Sequence, residues 1–319
     1  MDQTVQIVLP VFGVIALGYG AAAAGLLRRE TGEALSEFVF VIAIPVLVFR
    51  TLISAGFDEG APWALWIPYF AVFGVMWVIG TLVTRRLFGR DARAGVVGGM
   101  STAYGNTVLV GIPLALAAYG DAGAVGIALI IALHLPILMT ASAILIVVAE
   151  RKDGVSKAEP GSRAIIHGLG VNLVRNPIMI ALALGALWKL TGLPLGGLPG
   201  DLVDRIAGIA STIALFSMGM SLRNYGIRGN VRAGLVLAAL KLLLMPALIF
   251  LAVRYVVPMP AVWAKAAVIA AACPTGVNAY VVATRFRTGE ALASNALTIS
   301  TACAVLTTTI WLIAIEWWL

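Results

Sequence analysis

Ten apolar runs, laid end to end with short connections, restrict this chain more than any other feature. They lie near residues 4–25, 33–54, 62–84, 93–118, 123–149, 171–191, 201–222, 232–256, 261–284 and 290–318. Each is close to the roughly 20 residues a helix needs to cross a bilayer core. So much apolar surface has no soluble core to hide in. Of the 319 residues 61% are apolar and 12% charged, against roughly 45–50% and 25% in soluble domains. The expected fold class is an all-α polytopic membrane protein of ten transmembrane helices. Enzymatic signatures such as HExxH, GxSxG and the P-loop GxxxxGK[ST] are missing from the sequence. Neither an enzyme nor a resident cofactor or metal is expected. The start Met1-Asp2-Gln3 lacks the basic opening of a signal peptide, so the first run reads as a retained span.

The net charge of +7 could point to nucleic acid, but the cations sit between apolar runs. Sixteen Lys and Arg fall in odd-numbered connections and five in even connections and flanks, with Lys241 inside a run. The positive-inside rule then places odd connections in the cytoplasm and both termini outside, in an inner (plasma) membrane. No nucleic-acid partner is expected; the lipid bilayer is.

The chain also repeats itself. At an offset of 167, Pro10, Gly18 and Gly25 lie over Pro177, Gly185 and Gly192; at 169, Gly120-Asp121-Ala122 lies over Gly289-Glu290-Ala291. The expected organisation is a five-helix repeat over 1–149, a cytoplasmic linker over 150–170 and a second repeat over 171–319. Five is odd, so the second repeat enters the membrane inverted, an arrangement found in secondary transporters.

Two runs are interrupted at matching places. The fourth contains Tyr104-Gly105-Asn106-Thr107 and then Pro113; the ninth contains Cys273-Pro274-Thr275-Gly276-Val277-Asn278. Gly and Asn are poor helix-interior residues, and proline deletes a backbone hydrogen bond. Irregular backbone at bilayer mid-depth survives only inside protein or beside a wet cavity. A broken helix leaves N–H groups bare at the start of its second half, where partial positive charge favours anions. Tyr104, Gly105, Asn106, Thr107, Pro113, Pro274, Thr275, Gly276 and Asn278 are therefore the candidate substrate-binding residues. The plainer alternative is that proline and glycine only kink two ordinary spans.

Lys241, about ten residues into the eighth run, is a costly mid-membrane cation. It is expected to draw in an anion or to stand in for a coupling ion; the alternative is a stem reaching the headgroups. His134 fits a proton-coupling role, or a neutral ring bonded to a neighbouring helix. Arg50 reads as interfacial and Asp204-Arg205 as a solvated pair. Ser217 reads as helix packing.

Tyr104-Gly105-Asn106-Thr107 with Gly111-Ile112-Pro113-Leu114 resembles the fourth span of the auxin efflux carrier family, which includes plant PIN proteins and bacterial malate and malonate carriers. Pro274-Thr275-Gly276-Val277-Asn278-Ala279 is similar to that family's ninth-span signature. Ala43 to Phe49 around Pro45, Asn176-Pro177, and Leu215 to Leu222 also fit. The resemblance implies that helices 4 and 9 are broken and cross. It implies a scaffold of helices 1, 2, 6 and 7 and a transport part of helices 3–5 and 8–10 that moves as an elevator. It further implies small organic anions as substrates, with carboxylates foremost, and homodimers through helices 2 and 7. The short loop at 150–164 favours the bacterial type. Sodium-dependent bile acid symporters share the architecture, so a sodium-coupled symporter is the alternative carrier. No Asp or Glu lies between Asp91 and Asp121 or between Asp204 and Glu290 to hold sodium. A non-transporting membrane sensor is the alternative from another class.

Overall fold

The structure is a computed structural model and describes residues 2–54, 62–155, 170–171, 174–227, 229 and 231–319. Most of the linker expected over 150–170 lies outside these residues. Their regular structure is helical, apart from one isolated bridge between Gly105 and Thr275. Seven helical stretches are long and apolar enough to cross a membrane: Thr4–Ala23, Arg29–Ser54, Trp63–Leu87, Thr107–Lys152, Gly197–Tyr225, Val231–Val256 and Glu290–Trp318. Leu9, Leu17, Leu184 and Leu306 are more than half exposed, an outward face that suits hydrocarbon. The chain is a polytopic membrane protein.

In chain order the helices are α1 (Asp2–Ala23), α2 (Arg29–Phe38), α3 (Ile44–Ser54), α4 (Trp63–Leu82), α5 (Ala92–Ala103) and α6 (Ile112–Lys152). They continue as α7 (Pro177–Leu190), α8 (Gly197–Tyr225), α9 (Val231–Ala239), α10 (Met245–Leu251), α11 (Ala261–Ala272), α12 (Val277–Arg285) and α13 (Glu290–Trp318). The 46-residue stretch Thr107–Lys152 would extend about 70 Å if straight, twice a bilayer core. Gly120, in the left-handed region at φ 63°, divides it. Asn176 opens α7 by accepting the Ile178 amide on its side chain, with Pro177 in the first turn.

Three widened π-type turns follow one rule. Val39–Ala43, Thr107–Gly111 and Leu240–Leu244 each end two residues before a proline: Pro45, Pro113 and Pro246. A proline ring in a helix clashes with the carbonyl four residues back, and the wider turn relieves that clash. For Pro246 that carbonyl belongs to Leu242, and the Trp311 indole donates to it at 2.9 Å.

Small residues let the rods approach. A Cβ on Gly18 would lie 2.1 Å from the Phe216 carbonyl oxygen, and one on Gly219 would lie 2.0 Å from that of Ile15. So α1 and α8 touch backbone to backbone, as small residues allow in membranes. The interior is Ala-rich around α5, α6 and α11, where most side chains are fully buried.

Candidate functional site

The two interruptions meet. Helix α5 ends at Ala103 and α11 at Ala272, and the extended residues beyond them run antiparallel. The Asn106 amide donates to the Pro274 carbonyl at 2.8 Å, and the Gly276 amide to the Tyr104 carbonyl at 2.9 Å. The Thr275 hydroxyl donates to the Ser101 carbonyl at 2.8 Å, and its amide donates to the Ser300 hydroxyl at 2.9 Å. Four backbone or hydroxyl groups that a broken helix would strand are thus satisfied at bilayer depth, as a lipid environment demands. Glycine is needed here for space: a Cβ on Gly276 would sit 2.2 Å from the Tyr104 ring.

The second halves start differently. Asn106 turns its side-chain oxygen onto the Leu109 amide at 3.3 Å and its amide nitrogen toward the Met218 sulfur at 2.9 Å. It caps its own turn. Asn278 instead donates to the Tyr104 hydroxyl at 2.9 Å. Among the described residues the amides of Val108, Val277 and Asn278 find no acceptor. All three residues line a cavity of about 480 Å³, together with Tyr104, Asn106, Glu33, Ser36, Ser221 and Tyr225. Glu33 is matched by Arg29 at 2.8 Å. The cavity therefore offers hydrogen-bond donors from the crossing and one carboxylate already paired.

Of the residues picked from sequence, Tyr104, Asn106 and Asn278 reach the cavity wall, whereas Gly105, Pro274, Thr275 and Gly276 build the crossing behind it. Thr107 is buried with its hydroxyl unpaired, and Pro113 lies off the wall beyond the widened turn. Lys241 is fully buried and also off the wall; its ammonium donates to the Ala271 carbonyl, in the last turn of α11. Its stem lies against Gly105, where a Cβ would meet the Lys241 Cε at 3.4 Å. Lys241 sits in the π-type turn ahead of Pro246, and its stem does not reach out to solvent.

His134 is buried among the rings of Tyr69, Phe70, Phe73 and Tyr104, the last at 4.6 Å between centroids. Neither ring nitrogen has a partner among the described residues, so the inter-helix bond considered for it is not made with them. Asp204 is not a solvated partner of Arg205: it takes the Arg50 guanidinium at 2.9 Å, which also reaches Asp121 at 3.2 Å. Glu33, Ser36, Ser221 and Tyr225 came from no motif of the broken runs. They are supplied by the second half of α2 and the end of α8.

Comparison with known proteins gives the family. The profile of a family described as "Membrane transport protein" matches residues 4–312. A Rhizobium meliloti (strain 1021) protein named "Putative malonate transporter" is 29% identical over 321 residues, covering 97% of this chain and 95% of that one. A Methanothermobacter thermautotrophicus (strain Delta H) protein named "Uncharacterized transporter" is 25% identical over 309 residues, covering 96% of each.

Proposed function

We propose that this chain, which belongs to the membrane transport protein family of auxin efflux carriers, is a secondary carrier for a small organic anion. It is a membrane transporter and not an enzyme. The observation that carries the substrate class is the small set of open donors in an otherwise apolar cavity where the broken helices cross. The unaccepted amides of Val108, Val277 and Asn278 and the Tyr104 hydroxyl are suited to a carboxylate. Charge-assisted hydrogen bonds contribute about 1.5–3 kcal/mol each, and a few of them suit a guest that must also leave. The name of the Rhizobium relative favours a dicarboxylate of malonate size.

In this reading the chain has ten spans as two inverted repeats. A pair of positive-φ glycines supports it: Gly25 and Gly192 at φ 72° and 66°, at an offset found in the sequence. Helices α1–α3, α7 and α8 form the scaffold; α4–α6 and α9–α13 form the transport part, which moves as an elevator. Arg50 of the scaffold holding Asp121 of the transport part is a contact such a movement breaks. Positive-inside orientation places both termini outside, in the inner membrane, and turns the cavity mouth beside Arg29 toward the cytoplasm. The dimer forms through helices 2 and 7, here α2–α3 and α8.

The test is uptake of radiolabelled malonate into proteoliposomes, with membrane potential, proton gradient and sodium imposed separately. Saturable flux with sodium absent supports the reading. Flux that collapses without sodium indicates the symporter, and binding to the purified protein without flux indicates a sensor. Saturable binding of neither malonate nor other small carboxylates would overturn the substrate class.

A further inference from the structure

A second group of unused donors lies away from the crossing, where α5 and α13 begin. Between these starts is a polar cavity of about 420 Å³. The α5 start is closed: Asp91 accepts the Ala94 amide at 2.7 Å, and Asp153 accepts the amides of Ala92 and Arg93 at 2.9 and 3.0 Å. Arg93 in turn is held by Asp153 and Asp91. The α13 start is open. Its cap residue Gly289 has no capping side chain, and the amides of Glu290, Ala291 and Leu292 find no acceptor among the described residues. All three residues line the cavity.

Thr288 is the independent observation. It is 7% exposed, lines the same cavity, and its hydroxyl makes no hydrogen bond to any described residue. The hydroxyl oxygen is not sealed in the core, so it is open to a ligand in this cavity. Arg90 and Arg287 complete the wall, and neither has a carboxylate partner among the described residues. Left-handed backbone at Arg287 and Gly289, φ 49° and 64°, curls the segment toward the concave arrangement of successive N–H groups that binds anions. Glu290 is the opposing charge at this open end; two guanidiniums, three amides and one hydroxyl outnumber it.

We infer that this cavity binds a phosphate group, held by Arg90 and Arg287 and by the open first turn of α13 with Thr288. The site is separate from the carboxylate cavity and does not depend on the transport reading. Free phosphate compounds and phosphomonoester lipid headgroups present the same chemistry, and the experiment separates them. The full chain purified in detergent is titrated with inorganic phosphate by calorimetry. In parallel, phosphatidylcholine nanodiscs with and without phosphatidic acid are compared by thermal unfolding. Saturable binding of inorganic phosphate identifies a soluble ligand. Stabilisation by phosphatidic acid alone identifies a lipid. In either case Arg287→Gln and Arg90→Gln are expected to weaken the effect by about tenfold or more, the loss of one charge-assisted bond. Thr288→Val is expected to weaken it several-fold while leaving unfolding without phosphate unchanged. Absence of an effect in both arms, or an effect the two arginine variants leave intact, overturns the inference. Should either arginine variant fail to fold, the threonine variant decides alone.

Discussion

The first broken helix is closed on itself, while the second stays open. Helix α5 begins on two carboxylates, Asp91 and Asp153; α11 begins after Pro260 with no side-chain cap. At the crossing, the Ser101 carbonyl near the end of α5 takes a neutral hydroxyl from Thr275, whereas the Ala271 carbonyl near the end of α11 takes the Lys241 ammonium. Past the break, Asn106 caps its own turn, whereas Asn278 spends its side chain on Tyr104 and leaves two backbone amides bare. Two segments of similar composition have thus divided the work. The first is capped on itself and leaves the cavity one amide, that of Val108, and the Tyr104 hydroxyl, whereas the second leaves two adjacent amides. Segments of similar composition need not keep similar roles once a neighbour such as Lys241 is present on one side only.

The largest expected effect tests that division. Asn278→Ala, which removes the side chain that orients the Tyr104 hydroxyl beside the cavity, should lower malonate transport by roughly tenfold, the loss of one well-placed bond to a charged ligand, with unfolding little changed. Gly276→Ala should do as much by driving a methyl group into the Tyr104 ring. Uptake by reconstituted variants checks both, and wild-type flux in Asn278→Ala would erase the distinction between the breaks. Next comes Lys241→Met, which strands the Ala271 carbonyl inside the protein. It should cost about 1–3 kcal/mol of stability, read by thermal unfolding in detergent, whereas Thr275→Val should cost about 1 kcal/mol. Equal losses would mean the two carbonyl caps are interchangeable. Smaller still is Asn106→Ala, a lost helix cap of about 1 kcal/mol, with transport less affected than in Asn278→Ala. The reverse order of transport loss would exchange the roles of the two segments.

The smallest effect concerns the closed start of α5. Burial pushes the Asp153 carboxyl upward, but the amides of Ala92 and Arg93 and the Arg93 guanidinium outweigh it and hold it below the ordinary carboxylate value. A depressed folded value stabilises above the unfolded pKa of about 3.9 and loses that contribution as pH falls through the folded one. Asp153→Asn should therefore flatten the acid side of the stability curve below about pH 4, measured by thermal unfolding against pH. An unchanged acid limb would remove Asp153 from the account of α5.

Much of this was readable from the chain alone, for definite reasons. The interruptions announce themselves because Gly, Asn and Pro have strong backbone preferences that no neighbour can hide. Gly120 marks a boundary for the same reason. Side-chain partners were not readable, because they come from distant segments. Lys241 was placed correctly inside a run, yet nothing local says that it meets Ala271. Asp204 has Arg205 beside it, but in a helix adjacent residues point apart, and Arg50 is the partner. Glu33, Ser36 and Tyr225 belong to ordinary helices, and only the packing of α2 and α8 beside the crossing turns them into cavity wall.

The widened turns ahead of Pro45, Pro113 and Pro246 make these rods tolerant of length. Each accommodates one surplus residue within a single coil. Removing one residue from Leu240–Leu244 would restore ordinary pitch there and leave the two flanks nearly in register. The cost would be local, because the Leu242 carbonyl that accepts the Trp311 indole would return to the reach of the Pro246 ring. Sequences built on this plan should therefore vary by one residue within these coils without turning the helix on either side.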